Sequence, residues 1–172
     1  GGTPAEAIRA GVAMVHQHFM LVPTATVTEN VTLGAEITKG GRLDLEKARG
    51  DVEALCRRTG LIVPTQSRVA ELSVGEAQRV EILKTLYRGA RVLILDEPTA
   101  VLSPQEVNEL WRILRRLKDE GGTIVLITHK LDEVMAISET ITVMRQGETV
   151  GRLETARTSP QEIARMMVGR DV

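Results

Sequence analysis

Aromatic residues and cysteine are scarce in this sequence, and each scarcity argues against a class of protein. Aromatics make up 2% of the 172 residues, namely Phe19, Tyr87 and Trp111. So few rings argue against a base-stacking nucleic-acid platform and against a membrane-interface belt. Cys56 is the single cysteine, which excludes a disulfide framework and a cysteine-based zinc site. Its place on an apolar helix face predicts a core residue rather than a nucleophile.

The net charge is also small, and long apolar runs are absent from the sequence. The net charge is -1, so no basic excess points to nucleic acid, and we expect no nucleic-acid partner. No apolar run is long enough to span a bilayer, and the first residues do not resemble a signal peptide. We therefore expect a soluble, cytoplasmic chain that can dock on a membrane partner. The length suits one domain, and the initial Gly is consistent with a fragment.

Two adjacent carboxylates follow an apolar run at residues 92–95. The run predicts a strand buried on both faces, as in a parallel sheet, and Pro98 ends it. Asp96 and Glu97 then stand at the carboxyl end of the strand, where open α/β sheets bind ligands. Two carboxylates at the rim of a core are costly unless a cation compensates them. This pattern favours a bound Mg²⁺ with a nucleotide.

A second apolar run, at residues 123–128, predicts another buried strand, and His129 follows it. The helix predicted between the two strands begins at Ser103 with a capping box and Pro104 in its first turn. A strand, a helix and a strand in this order predict a right-handed crossover with parallel strands. Asp96, Glu97 and His129 are therefore expected at one edge of the sheet. Taken alone, His129 would be interpreted as a core or capping histidine, and the shared edge favours a functional role.

The remaining pattern predicts an α/β chain with further helices and one hairpin. Capping signals, apolar periodicity and terminal glycines mark these elements. We predict helices from Thr3 to Gly11, 29–33, 45–59, from Ser73 to near Gly89, 131–137 and from Ser159 to Met167, with a strand at 12–15 and a hairpin at 141–153.

The start of the helix at Ser73 has two interpretations. Helix N-termini offer free N–H groups and a positive dipole end, which suit phosphate, and Gly75 would allow close approach because it lacks a Cβ. Alternatively, Ser73 and Glu76 form a simple capping box. The two interpretations are compatible, and the pattern alone favours the capping box.

Phosphoryl chemistry needs a metal site, a positioned water and donors to the phosphate oxygens. Asp96 suits the metal site, directly or through water. Glu97 suits a general base that polarises the attacking water, and His129 suits a contact to the terminal phosphate or to that water.

Four motifs occur in the order found in ATP-binding subunits of ABC transporters, which this chain resembles over nearly its whole length. They are Gln17 after a strand and the segments 72–76, 93–99 and 128–129. The resemblance implies a P-loop NTPase-like, mostly parallel sheet with helices on both faces, plus a small helical subdomain carrying the ABC signature. It divides the chain into a sheet core, 1–34 and 90–172, and a helical subdomain, 35–89.

The resemblance also implies residue roles. Gln17 corresponds to the Q-loop glutamine, which senses the metal and the membrane partner, and Asp96 to the Walker B aspartate, so both belong to an Mg²⁺ site. Glu97 corresponds to the catalytic glutamate and His129 to the switch histidine. The signature, which contacts the γ-phosphate of ATP held by the opposite subunit, comprises Ser73, Val74, Gly75 and Glu76.

A narrower likeness points to the simple-sugar and nucleoside importer branch. Segments 15–23, 80–84, 99–106 and 166–170 carry it, and nucleoside importers that work with basic-membrane-protein-type lipoproteins are nearest. That branch fuses two ATPase domains in one polypeptide, and this chain resembles the later part of the first. It implies ATP and Mg²⁺ as cofactors and a peripheral location on the cytoplasmic face of the cell membrane. The implied partners are transmembrane permease subunits, a second ABC ATPase domain in the same polypeptide or a dimer, and indirectly a substrate-binding lipoprotein.

Two features depart from the family pattern. The sequence contains no G-x-x-x-x-G-K-[ST], so we expect the P-loop and the adenine-stacking aromatic upstream of Gly1. The chain alone should then bind ATP weakly, turn over negligibly, expose apolar sheet surface and self-associate. The other departure is Ser103, where many relatives have an Asp in the D-loop; it either alters coupling between ATP sites or is ordinary for the branch.

Two alternatives remain. One is a soluble ABC-type ATPase of DNA repair or translation, which would be expected to carry coiled-coil or basic insertions that this sequence lacks. The other is a non-catalytic fragment for dimerisation or regulation. The presence of Asp96, Glu97, Gly75 and His129 argues against it for the parent protein, whereas the missing P-loop argues for it in this chain alone.

Overall fold

The computed structural model describes residues 2–169, which form two compact units. One unit ends at Ile127 and the other begins at Thr128. Arg170, the last residue of the importer-like segment 166–170, lies outside the described residues.

The first unit combines a parallel sheet with helices. Its elements are α1 (Pro4–Arg9), β1 (Val12–Val15), α2 (Val27–Thr32), β2 (Thr38–Lys39), β3 (Arg42–Leu43), α3 (Leu45–Thr59), α4 (Val74–Tyr87), β4 (Val92–Asp96), α5 (Pro104–Asp119) and β5 (Thr123–Ile127). The sheet order is β1-β4-β5, and both pairs are parallel. The predicted parallel pairing of the carboxylate strand with the strand after it is confirmed.

The two faces of this sheet differ in burial. Because paired residues point to the same side of a sheet, Val15 and Leu95 share one face, and both are buried. The opposite face carries Met14, Ile94 and Val125 in register. Met14 is 38% exposed and Val125 is 43% exposed. The expected exposed apolar sheet surface is therefore confirmed on this face, whereas self-association stays a prediction.

The prediction of two fully buried strands was therefore wrong. In β4 only alternate residues, Leu93 and Leu95, are buried, and Ile94 is half-buried. No residue of β5 is buried, and Ile127 is 46% exposed. The physical reason is that β5 lies at the end of the strand order and that one sheet face reaches solvent. An apolar run cannot reveal either fact.

Capping boxes begin four helices of the first unit. In each, a Ser or Thr side chain accepts from an amide three residues on, and a Glu returns the bond: Thr3 with Glu6, Thr26 with Glu29, Ser73 with Glu76, and Ser103 with Glu106. The box at Thr26 was not predicted, and α2 consequently begins at Val27 rather than at Glu29. The left-handed Gly60 ends α3 as predicted.

Helices α2, α3 and α4 pack against one another. Cys56 of α3 is buried, as expected for a core residue, and burial raises the pKa of its thiol. The division at residues 35–89 stays a prediction.

The second unit is a hairpin with two helices. It comprises α6 (Leu131–Ile137), β6 (Thr140–Arg145), β7 (Glu148–Glu154) and α7 (Pro160–Val168). Strands β6 and β7 are antiparallel, which confirms the predicted hairpin. Its buried core consists of Ile141, Val143 and Ile163. Across residues 2–169, no helix combines the length and the apolar character that crossing a membrane requires.

Candidate functional site

The ends of β1 and β4 bring three predicted site residues to one edge of the sheet. Val15 and Leu95 pair in register, so the chain leaves both parallel strands at the same level. Asp96 is the last residue of β4, it is half-buried, and Glu97 follows it. Gln17 lies two residues beyond the end of β1 and is exposed. The backbone register leads Gln17, Asp96 and Glu97 beyond the same edge of the sheet, and their shared metal and water site stays a prediction.

Glu97 has an unusual backbone conformation. Its φ is 45°, and within residues 2–169 the only other non-glycine residue with positive φ is Gln146. Such a conformation costs about 1–3 kcal/mol and persists where surrounding bonds impose it. The Glu97 N–H donates to the Ile127 carbonyl over 2.9 Å, and the Glu97 carbonyl accepts the Ala100 N–H over 3.2 Å. These bonds fix where the Glu97 side chain leaves the sheet edge, a feature that no sequence signal indicated.

His129 belongs to the second unit and follows Ile127, the last residue of β5, by two positions. Ile127 itself pairs with Asp96. The proximity of the His129 side chain to the two carboxylates stays a prediction.

Ser73 caps α4 as the sequence predicted. Its Oγ accepts the Glu76 N–H over 3.2 Å, and Glu76 Oε2 accepts the Ser73 N–H over 2.8 Å. Ser73 and the neighbouring Val74 are exposed. The capping box is therefore confirmed, and contact of this helix start with phosphate stays a prediction.

Gly75 is buried, and a side chain of the same unit explains why no Cβ fits there. A Cβ built on Gly75 would lie 2.5 Å from Oε1 of Glu106, on α5. Gly75 was expected to allow the close approach of a phosphate because it lacks a Cβ, and that expectation stays a prediction. The structure adds a packing reason that sequence reasoning missed, because Glu106 is remote in the chain.

Glu106 joins the start of α5 to the start of α4. Its Oε2 accepts the Ser103 N–H over 2.9 Å and the Ser103 hydroxyl over 2.8 Å. These two bonds with Ser103 lower the pKa of the Glu106 carboxyl, and the Gly75 backbone and the charge of Arg79 add to this. Arg79 forms an ion pair with Glu109 further along the two helices. The start of α5, which follows the predicted D-loop residue Ser103, is thus in direct contact with Gly75 of the predicted signature.

Buried Asn30 of α2 anchors the segment that follows Gln17. Its Oδ1 accepts the Val22 N–H over 2.7 Å, and its Nδ2 donates to the Val22 carbonyl over 3.0 Å. Nδ2 also donates to the Thr26 carbonyl over 3.0 Å. Sequence reasoning did not identify Asn30, because four of the six residues of α2 are polar and nothing in the sequence distinguishes this one.

The oxygen donors at the sheet edge fit the predicted metal. Within residues 2–169, no group of three or more His, Cys, Asp or Glu side chains is arranged to hold a metal ion. Mg²⁺ in nucleotide sites typically uses one or two carboxylates together with water and phosphate oxygens. The Asp96 carboxylate and the Gln17 amide oxygen are hard donors of the required kind.

This fold and the carboxylates at its strand ends define an α/β protein of the P-loop NTPase-like class. Residues 3–100 match the family model described as ABC transporter. The chain belongs to the ABC transporter family, whose ATPase members bind nucleotide.

Individual relatives agree with this family. The chain is 52% identical over 170 residues to a nucleoside import ATP-binding protein, NupA, of Lactococcus lactis, covering 99% of this chain and 34% of that protein. It is 44% identical over 198 residues to a glucose import ATP-binding protein of Haloferax volcanii, covering 99% and 36%. The structure of cbiO1 from Clostridium perfringens, part of the ABC transporter complex cbiONQ, superposes with a TM-score of 0.70 at 31% identity, covering 86% of this chain and 58% of that one. The chain spans about a third of the length of these two curated relatives.

Proposed function

We propose that this chain supplies hydrolytic residues of an ATPase that energises import of a nucleoside or simple sugar across a membrane. The observation that carries the proposal is the register of β1 with β4, which leads Gln17, Asp96 and Glu97 to one sheet edge in a member of the ABC transporter family. The import role is supported by the printed functions of the relatives, which are nucleoside import and glucose import.

Each residue at the sheet edge has a proposed role. Asp96 and Gln17 would hold Mg²⁺, which would neutralise charge on the phosphates when bound. Glu97 polarises the attacking water as general base, and its hydrogen-bonded backbone sets the direction in which the side chain leaves the sheet edge. His129 contacts the terminal phosphate or the same water.

The signature residues have a proposed role toward a second ATPase domain. Ser73, Val74, Gly75 and Glu76 begin α4 and face the γ-phosphate of ATP held by that domain, in the same polypeptide or a dimer. The positive dipole end of the helix and the exposure of Ser73 and Val74 suit this contact. The capping box keeps the first turn of α4 in a single conformation.

The proposed assembly lies at the cytoplasmic face of the cell membrane. The loop after Gln17 meets transmembrane permease subunits, and a substrate-binding lipoprotein delivers the solute to them. The permease and the lipoprotein select the solute, so this chain serves nucleosides or simple sugars through the partners it engages.

Exchange of Glu97 for Gln in the complete protein tests the catalytic assignment. Glu97→Gln keeps the size of the side chain and removes its basicity, so ATP binding should persist while hydrolysis falls by about 10²-fold or more. Binding is measured with a fluorescent nucleotide and hydrolysis by phosphate release. Glu46→Gln is the matched control because Glu46 lies exposed on α3, and it should hydrolyse ATP at the normal rate. Unchanged turnover in Glu97→Gln would remove Glu97 from the role of base.

A further inference from the structure

Side chains of α4 form hydrogen bonds with both backbone polar groups of Met20. Glu81 Oε1 accepts the Met20 N–H over 2.5 Å, and Lys84 Nζ donates to the Met20 carbonyl over 2.9 Å. Glu81 lies 61 residues from Met20 in the chain, so the contact is tertiary rather than local. Residues three apart on a helix lie on one face, which is why Glu81 and Lys84 reach the backbone of the same residue.

The two bonds differ in their surroundings, because the Glu81 bond is part-buried and the Lys84 bond is exposed. Each involves a charged partner, and charge-assisted bonds are roughly twice as strong as neutral ones. Glu81 is only 5% exposed, so its bond to the Met20 N–H is largely shielded from water. A buried carboxylate is costly unless it accepts hydrogen bonds, and the Met20 N–H supplies one.

These two backbone bonds leave the Met20 side chain exposed to solvent. That side chain is 67% exposed, and Val22 nearby is 42% exposed. The contact therefore holds the loop by its main chain and presents apolar side chains to the surroundings. Met20 lies three residues after Gln17, in the loop assigned to the permease contact.

Helix α4 connects this loop to a second proposed site. Ser73 caps the helix and Gly75 lies in its first turn. The proposed function assigns both to the γ-phosphate of ATP held by the opposite domain. Glu81 and Lys84 lie further along the same rigid helix, and they hold the Met20 loop. The loop is therefore bonded to the same helix that begins after Ser73.

We propose that Glu81 and Lys84 are positioning residues that make the loop after Gln17 and helix α4 move as one body. In this role, which rests on the proposed function, they transmit permease docking at the loop to the signature residues. Neither side chain needs to touch nucleotide or solute.

Amide hydrogen exchange in this chain tests whether α4 holds the Met20 backbone through these two bonds. Glu81→Ala removes the acceptor, so exchange at the Met20 N–H should become about tenfold faster or more, which corresponds to the loss of one charged hydrogen bond. The Leu95 N–H in β4 serves as the internal reference and should be unaffected. Glu81→Gln retains an acceptor oxygen and should restore most of the protection.

Lys84→Met provides a second variant in case Glu81→Ala impairs folding. It keeps the aliphatic stem of Lys84 and removes the donor to the Met20 carbonyl, and it should also accelerate exchange at Met20. Unchanged exchange at the Met20 N–H in both variants would show that Glu81 and Lys84 do not hold the loop, which would overturn the proposal.

The transmission is tested in the complete protein together with its permease. Glu81→Ala should leave basal ATP hydrolysis near the wild-type rate but lose most of the stimulation by permease, and Glu81→Gln should retain that stimulation. Faster exchange at Met20 with undiminished stimulation would overturn the transmission role. A wild-type protein that does not hydrolyse ATP would contradict the proposed function and the transmission with it. The exchange result would still decide whether Glu81 and Lys84 hold the Met20 loop.

Discussion

Substitution of Gly75 by Ala probes the contact between Gly75, in the predicted signature, and Glu106, at the start of α5. The new Cβ would lie 2.5 Å from Glu106 Oε1, well inside the 3.0 Å that real Cβ atoms keep. The carboxylate must therefore move, although two bonds from Ser103 hold its other oxygen. Either α4 shifts away from α5, or the capping box of α5 is weakened.

The expected cost combines opposing contributions. Overpacking costs about 1–3 kcal/mol, and loss of a capping box costs about 0.5–2 kcal/mol. Alanine is favoured over glycine in a helix by up to about 1 kcal/mol, which offsets part of this. Because the Glu106 side chain can partly relax, we expect Gly75→Ala to lower the free energy of unfolding of the first unit by about 1–3 kcal/mol.

Gly50→Ala is the matched control. Gly50 lies exposed in α3, and a Cβ built there meets nothing within 4 Å. With the propensity gain and without the clash, this variant should be more stable than wild type by up to about 1 kcal/mol. Opposite signs for the two Gly-to-Ala exchanges would isolate the contribution of Glu106.

Urea unfolding measured by Trp111 fluorescence is a suitable assay, because Trp111 is the single tryptophan and is buried in α5 of the same unit. In the double variant Gly75→Ala/Glu106→Ala the clash is absent, so the two changes should cost at least about 1 kcal/mol less together than their separate effects imply. Strict additivity, or a Gly75→Ala variant as stable as wild type, would refute the packing explanation for Gly75.

Three further predictions concern stability, pH and nucleotide. Asn30→Ala removes the buried side chain that bonds both the N–H and the carbonyl of Val22, so the first unit should lose about 1–3 kcal/mol in urea unfolding, and a loss under about 0.5 kcal/mol would contradict this. Bonds with Thr26 and Ser103 are the main cause of the lowered pKa values of the Glu29 and Glu106 carboxyls in the folded chain. The stability that these bonds contribute is therefore present above the unfolded pKa of about 4.3 and is lost as pH falls through the lowered folded pKa values. Glu106→Gln should therefore reduce the decline of stability between about pH 5 and pH 3, and an identical decline would count against the bonded carboxylate. Titration of this chain with a fluorescent nucleotide should show weak binding because the sequence has no P-loop motif, and tight Mg-ATP binding would disprove that expectation.

Local chemistry made much of the fold predictable. The pairs Ser73–Glu76 and Ser103–Glu106 lie three residues apart, so their capping boxes were visible in the sequence and mark where α4 and α5 begin. Alternation of apolar runs with capped helices likewise predicted the parallel pairing of β4 with β5. These features depend on neighbours in the chain, which a single sequence displays directly.

Features that depend on distant neighbours were not predictable. The space for a Cβ at Gly75 is taken by Glu106, and the Met20 backbone is held by Glu81 from 61 residues away. The left-handed backbone of Glu97 depends on a bond to Ile127 in another strand. The partial exposure of β5 depends on strand order, which an apolar run does not encode.

ATP-driven solute uptake tests the central claim most directly. The complete protein is reconstituted in vesicles with its permease and lipoprotein, and accumulation of a labelled nucleoside or sugar is measured together with phosphate release. The proposed function predicts ATP-dependent uptake by wild type and loss of both uptake and phosphate release in Glu97→Gln, with nucleotide binding retained. Uptake that continues unchanged in Glu97→Gln, or wild-type hydrolysis that drives no uptake of any such solute, would contradict the account.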